Sequence, residues 1–240
     1  MKKFLNIYES ISNKSKYILV TIGLILLMLT WGIIPQLILL LLNINISTIP
    51  EYIKIFITLI FDIAFLFLII FFYKKDVKED FLKFFNKKNI IKNFKTSLRY
   101  WLVGVLIMVT CNLIISTITN SIATNEEAVR EMIDKFPLYM AFQVMIYAPI
   151  SEEIIFRKSI SDITKNKYLY IFISGFIFGF LHVISSITTM VDLLYLLPYC
   201  SLGFIFAILY QKTNNIFSTI TAHSIHNTLA FILYLIGGTI

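Results

Sequence analysis

Long apolar runs separated by short polar segments dominate the chain. A helix of about 20 consecutive apolar residues is long enough to cross a bilayer. Seven runs approach or exceed that length, at about 17–42, 54–73, 98–118, 138–160, 168–186, 190–210 and 215–236. Because a backbone in lipid must satisfy its own hydrogen bonds, each run is predicted to be a helix. The pattern predicts an all-α, polytopic transmembrane bundle of about seven to eight membrane helices.

The composition agrees with a membrane protein. Of 240 residues, 58% are hydrophobic and 15% charged, and the mean hydropathy is +0.82, whereas a typical soluble domain has about 25% charged residues. The net charge of +7 would suit a nucleic-acid partner only if the cations formed an exposed face of a soluble domain. Because they lie between the apolar runs, membrane lipids are expected partners and nucleic acid is not.

The distribution of lysines predicts the orientation. Segment 74–95 carries eight lysines and is predicted to be cytoplasmic, as is the N-terminus with Lys2 and Lys3. The connection at 119–137 is acidic on balance and is predicted to lie outside. The first apolar run exceeds the core of a signal peptide and lacks a small-residue cleavage site, so it is expected to remain as a span.

Two polar segments are not predicted to span. Segment 74–95 also carries several aromatic and aliphatic residues, so it could be an amphipathic helix on an anionic inner leaflet or a solvated loop. Residues 124–136 could form a short outer amphipathic helix, to which no chemistry is assigned.

Ionisable side chains within the apolar runs concentrate in the last hundred residues. A charged group at the centre of a bilayer costs about 2.5–3.5 kcal/mol, so a cluster of such groups indicates a function. The fourth, fifth and seventh runs contain the cluster, which consists of Glu152, Glu153, Arg157, His182, His223 and His226. Asp62 and Asp192 lie apart from it and have no motif around them.

Helical spacing predicts how these side chains pair. Glu153 and Arg157 are four residues apart and are predicted to form an ion pair that orients the helix. Glu152 points about 100° away from Glu153 and lacks such a partner, so it is the candidate general base. Phe178 is predicted to pack on His182, four residues further along the chain.

The seventh run repeats this spacing with His223 and Asn227. One carboxylate, two imidazoles and a carboxamide that meet in a wet cavity could activate a water molecule and stabilise a tetrahedral oxyanion. The alternative is structural, because an isolated ion pair or a membrane histidine often only links helices. For His226, a structural or cavity-lining role is favoured.

Three ordered motifs resemble those of a known family. The CAAX protease and bacteriocin-processing family of intramembrane proteases, also called the CPBP or Abi family, has motifs similar to Glu152-Glu153-x-x-x-Arg157, Phe178-x-x-x-His182 and His223-x-x-x-Asn227. The resemblance covers about 138–236, which would form a four-helix catalytic core after N-terminal membrane helices at 1–137. Where many family members have glycine after the arginine, this chain has Lys158.

The resemblance implies cleavage of a peptide bond in or near the membrane. Glu152 and His182 would activate water, His223 and Asn227 would stabilise the oxyanion, and Glu153 and Arg157 would orient the site. Family members are commonly described as metalloproteases, although a metal-free glutamate mechanism has also been proposed. Glu152, His182 and His223 could form a zinc set, but they lie on three helices without the compact spacing of soluble zinc proteases.

Three functions remain open. The first is an intramembrane endopeptidase in the plasma membrane of a bacterium, which acts on a membrane-bound or lipidated protein or peptide, or processes a peptide signal or bacteriocin. The second is a non-catalytic immunity or scaffold protein that binds a peptide in the polar cavity. The third is a small transporter, against which the absence of a visible inverted repeat counts.

Overall fold

The computed structural model of the protein describes residues 13–119, 124–184, 187 and 189–237, and in these residues it contains helices and no strand. The N-terminal half contains α1 (Asn13–Thr30), α2 (Ile34–Leu41), α3 (Glu51–Phe72), α4 (Lys74–Phe84), α5 (Ile90–Thr119) and α6 (Thr124–Lys135). A 3-10 turn joins α1 to α2, whose first turn contains Pro35. Lys2 and Lys3, which enter the predicted orientation, lie outside the described residues.

The C-terminal half begins with a helical segment at 137–163, here called the interrupted helix because two π turns divide it. Its parts are α7 (Pro137–Phe142), a π turn (Gln143–Tyr147), α8 (Ala148–Glu153), a second π turn (Ile154–Ser159) and α9 (Ile160–Ile163). The chain continues with α10 (Lys167–Ile184), a 3-10 turn (Met190–Tyr195), α11 (Leu196–Thr213) and α12 (Ile216–Leu235). The all-α prediction is confirmed.

Five segments of the described chain are long and apolar enough to cross a membrane, namely Tyr17–Leu41, Glu51–Phe72, Ile90–Ile118, Lys167–Ile184 and Met190–Thr213. They correspond to five of the seven predicted runs, and they make the chain a multi-pass membrane protein. The other two runs are helical as well, but they form the interrupted helix and α12, which are outside this set. These two segments carry most of the ionisable cluster.

The lysine-rich segment 74–95 forms α4 and the first turns of α5, so part of it is a helix rather than a solvated loop. Asp80 Oδ2 accepts a hydrogen bond from the Ile216 N–H at 2.9 Å, and Asn215 Nδ2 donates to the Asp80 carbonyl oxygen at 2.8 Å. The ring of Phe84, which is 2% exposed, lies 6.4 Å from that of Phe217. The segment therefore fixes the start of α12, while its contact with anionic lipid stays a prediction.

Two isolated sequence features also have clear places in the fold. The helix predicted at 124–136 is α6. Asp192 caps the 3-10 turn that precedes α11, because its Oδ2 accepts a hydrogen bond from the Thr189 N–H at 2.6 Å. Asp192 is therefore a capping residue and has no part in the ionisable cluster.

Glycines allow α10 and α11 to approach closely. A Cβ atom on Gly179 would lie 2.4 Å from the sulfur and 2.6 Å from the backbone nitrogen of Cys200, and a Cβ atom on Gly203 would lie 2.5 Å from the carbonyl oxygen of Gly175. Small residues at such crossings let membrane helices pack backbone against backbone. This crossing fixes the position of α10, which carries His182.

Gly179→Ala is expected to destabilise the protein by about 1–3 kcal/mol, because the added methyl group would overlap with a backbone nitrogen that cannot move alone. Gly23→Ala is the matched control, because no atom outside its own helix lies within 4 Å of the Cβ position there. Unfolding of both purified variants in detergent measures the difference. Equal stability of the two variants would show that α10 and α11 can separate enough to accommodate the added methyl group at little cost in free energy.

Candidate active site

The first π turn determines where the two glutamates lie. In this turn the Ala148 N–H bonds to the carbonyl oxygen of Gln143, five residues earlier. Pro149, the next residue, has no N–H for the carbonyl of Val144. Asn227 of α12 supplies the missing donor, with Nδ2 2.8 Å from Val144 O. Asn227 thus holds the π turn with one amide hydrogen and has a second one for another partner.

The ion pair predicted between Glu153 and Arg157 forms in the interior, where neither side chain has exposed surface. Arg157 Nε lies 2.8 Å from Glu153 Oε2, and Nη1 donates to the hydroxyl of Ser174 at 2.8 Å and to its carbonyl oxygen at 3.1 Å. The guanidinium carbon lies 4.9 Å from the centre of the Phe178 ring. Arg157 therefore joins the interrupted helix to α10.

Glu153 also holds His223. Its Oε1 lies 3.0 Å from Nδ1 of the imidazole, which is 3% exposed. Because a carboxylate only accepts, Nδ1 carries the hydrogen and Nε2 is the nitrogen that can meet another group. Arg157, Glu153 and His223 thus form one continuous buried chain from the interrupted helix to α12.

Glu152 faces His182. The distance from Glu152 Oε2 to His182 Nε2 is 3.8 Å, and in the described part of the chain this buried oxygen has no hydrogen-bond partner. His182 Nδ1 lies 2.8 Å from the carbonyl oxygen of Phe178, so Nδ1 is the donor and Nε2 presents a lone pair. The predicted packing of Phe178 on His182 is present, with ring centroids 4.5 Å apart.

A cavity of about 460 Å³ brings the candidate residues together. Its polar wall includes Glu152, His182, His223, His226 and Asn227. The side chains of all four proposed catalytic residues therefore line one cavity. His226 lines the cavity, in agreement with one of the two roles predicted for it.

The cavity wall also contains residues to which no role was assigned from the sequence. Arg130 and Glu126 of α6 form an ion pair there. Arg130 also lies over the ring of Tyr234, at 5.3 Å, and the Tyr234 hydroxyl donates to Asp134 at 2.9 Å. The amphipathic pattern of 124–136 predicts the helix, but a pattern within one helix cannot indicate that its polar side closes a cavity.

The predicted zinc set is only partly brought together. Among the residues that the structure describes, no group of three His, Cys, Asp or Glu side chains has the arrangement of a metal site. Glu152 and His182 face each other, whereas His223 is bound through Nδ1 to Glu153. The metal stays a prediction.

The three motifs lie within a family match. Residues 134–229 match the family model described as "Type II CAAX prenyl endopeptidase Rce1-like". This segment, which is less than half of the chain, is similar to the Rce1-like family. The family resemblance of the three motifs is therefore confirmed, and the Rce1-like segment contains every one of the cavity-lining residues of the motifs.

Two curated proteins are similar to parts of the chain. The Bacillus subtilis (strain 168) protein named "Putative membrane peptidase YdiL" is 40% identical over 114 residues, which are 46% of this chain and 43% of that protein. "UPF0177 protein YxdF" from Lactococcus lactis subsp. lactis (strain IL1403) is 29% identical over 144 residues, which are 57% of this chain and 77% of that protein. The match to the Bacillus protein thus covers less than half of its length. No solved structure matches the chain significantly.

Proposed function

We propose that the protein is an intramembrane endopeptidase that hydrolyses a peptide bond of a membrane-bound or lipidated protein or peptide. The geometry of Glu152 and His182 carries this proposal. Two proton acceptors lie 3.8 Å apart at a cavity wall, and the carboxylate oxygen has no protein donor among the described residues. One water molecule that donates a hydrogen to each acceptor would satisfy both, because water has two hydrogens and each acceptor needs one.

Hydrolysis follows from this arrangement. Glu152 removes a proton from the water as its oxygen attacks the carbonyl carbon, and His182 holds the second hydrogen. The developing oxyanion accepts hydrogen bonds from the second amide hydrogen of Asn227 and from Nε2–H of His223. In this step His223 is an imidazolium, and the carboxylate of Glu153 balances its charge. Glu152 then gives its proton to the leaving amine as the carbon–nitrogen bond breaks, so that atoms and charges balance without a covalent bond to the enzyme.

The proposed setting is the plasma membrane. Each of the five apolar spans contacts the interrupted helix or α12, and we place these two segments in the bilayer as the sixth and seventh membrane helices. Lysines at 74–95 support a cytoplasmic position for that segment and for the N-terminus. The description of the Rce1-like family supports a prenylated substrate, while processing of a bacteriocin or peptide signal fits the same chemistry.

Reconstitution tests the proposal. The purified protein in phosphatidylglycerol-containing vesicles is mixed with a farnesylated peptide or with the unmodified peptide of the same sequence, and products are identified by mass spectrometry. We expect cleavage by the wild type and a loss of about 10²–10⁴-fold in His182→Ala, because the attacking water loses one of its two acceptors. The outer-facing variant Leu138→Ala, at a residue that is 88% exposed, serves as the control.

The same preparation separates the alternatives. Cleavage that survives a chelator in a verified metal-free sample would exclude zinc, whereas loss of cleavage that zinc restores would establish it. Saturable binding of the peptides without any product would support the immunity or scaffold function. Cleavage at the wild-type rate by His182→Ala would show that the proposed site is wrong.

A further inference from the structure

Asp62 is a buried carboxyl in the apolar helix α3, where it is 5% exposed. A carboxyl group in a spanning helix costs about 2.5–3.5 kcal/mol on insertion scales, so its position needs a compensating contact. It belongs to no motif, and α3 lies outside the segment 134–229 that matches the Rce1-like family.

Asp62 binds the interrupted helix at the start of its first π turn. Its Oδ2 accepts a hydrogen bond from the hydroxyl of Tyr139 at 3.1 Å and another from Nε2 of Gln143. These two residues also meet each other, with Nε2 2.6 Å from the tyrosine oxygen. Since Gln143 is the first residue of the π turn, the carboxyl group fixes the point where the helix leaves regular α geometry.

The remainder of the π turn is held as well. Phe65, one turn after Asp62 on α3, has its ring 6.2 Å from that of Tyr147, the last residue of the π turn. Asn227 of α12 binds the carbonyl of Val144 inside the turn. Contacts from α3 therefore hold both ends of the turn, and α12 holds its middle.

The π turn matters because it contains one residue more than an α turn. In a regular α-helix without this turn, every later residue of the interrupted helix would take the place of the residue that now follows it, which is a rotation of about 100° around the axis. Ser151 would then occupy the place of Glu152 opposite His182. Glu152 would occupy the place of Glu153 opposite His223. The first π turn thus determines which residue of the interrupted helix lies opposite His182 in the cavity.

We infer that Asp62 is a positioning residue that selects the catalytic register of the interrupted helix through Tyr139 and Gln143. The inference rests on the proposed function where it concerns cleavage, but the register itself is a property of the fold. Asp62 touches no reacting atom. It acts through the π turn that precedes Glu152 and Glu153.

The first test compares kinetic parameters of the reconstituted protein. In Asp62→Leu, kcat is expected to fall about 30- to 100-fold with KM changed by less than about threefold, since a small misplacement of a catalytic group has an effect of that order. Asp62→Asn keeps an acceptor oxygen and should retain kcat within about threefold of the wild type. Gln143→Leu, which keeps the Asp62–Tyr139 bond, should reproduce part of the loss. Phe67→Leu on the exposed face of α3 is the control.

The second test measures the register without any cleavage. In a background that lacks Cys111 and Cys200, cysteines are placed at 152 and 182, or at 151 and 182, and joined with a short bifunctional thiol reagent. The 152–182 pair should cross-link faster in the otherwise unchanged chain, and Asp62→Leu or Gln143→Leu should move the preference toward 151–182.

An unchanged cross-linking preference in both variants would overturn the inference, as would wild-type kcat in Asp62→Leu. A shifted preference, together with no peptide cleavage by the wild-type protein, would support the positioning role and contradict the proposed function. A lower kcat in Asp62→Leu that Asp62→Asn does not share, together with the shifted preference, is the expected result.

Discussion

Glu152→Gln is expected to lower kcat for peptide cleavage by about 10³-fold, because it removes the proposed general base. Glutamine keeps the shape of the side chain but cannot accept a proton from water. In one of the two orientations of the glutamine amide, its NH2 group also replaces the oxygen Oε2 that faces His182 at 3.8 Å. Single-turnover cleavage of the reconstituted peptide measures the change without interference from product release.

Glu127→Gln provides the matched control for Glu152→Gln. It makes the same chemical change at an exposed position of α6, and it should leave the rate unaltered. Peptide affinity should be similar in both variants, because Glu152 acts on water and not on binding. Cleavage by Glu152→Gln at more than a tenth of the wild-type rate would contradict its role as the general base.

Arg157→Met is expected to have the largest effect on stability, a loss of about 3–5 kcal/mol, because it leaves the carboxylate of Glu153 buried without its main partner. The substitution also removes the donors to Ser174 that join the interrupted helix to α10. Unfolding in detergent, with the fraction of folded protein after purification, measures the loss. Lys135→Met, which breaks an exposed ion pair with Glu131, should leave unfolding unchanged.

A double variant separates the stability of the ion pair from its part in catalysis. Glu153→Leu combined with Arg157→Met removes both charges, so much of the stability should return. Cleavage should not return, because His223 loses the carboxylate that holds its Nδ1. A double variant as unstable as Arg157→Met alone would show that the lost contacts to Ser174 dominate, and a double variant with full activity would show that His223 needs no carboxylate.

Local spacing predicted some contacts of the site. Glu153 and Arg157 meet because they are one helical turn apart, and Phe178 packs on His182 for the same reason. The apolar runs likewise predicted the five candidate spans, since the composition of each run decides whether that segment can lie in lipid. Such contacts need only the geometry of a single helix.

Contacts between residues that are far apart in the sequence could not be predicted from the spacing within one helix. The bond from Glu153 to His223 joins residues 70 positions apart, and nothing in either motif indicates which glutamate the histidine meets. The π turns were also not predicted, because Pro149 indicates a missing donor but not that Asn227 replaces it. The partner of Asp62 depends on the packing of α3, which spacing along the chain does not determine.

The hydrogen bonds between Asp80 and the start of α12 bear on how the chain could be divided. A fragment that begins near residue 134 would contain all three motifs but would leave the Ile216 N–H and the Asn215 amide without their Asp80 partners. It would also lose the bond from Thr21 to the carbonyl oxygen of Ser159, at 3.1 Å. The segment recognised as Rce1-like is therefore not expected to behave as an exchangeable module: to transplant it into another protein would require that the recipient rebuild these contacts.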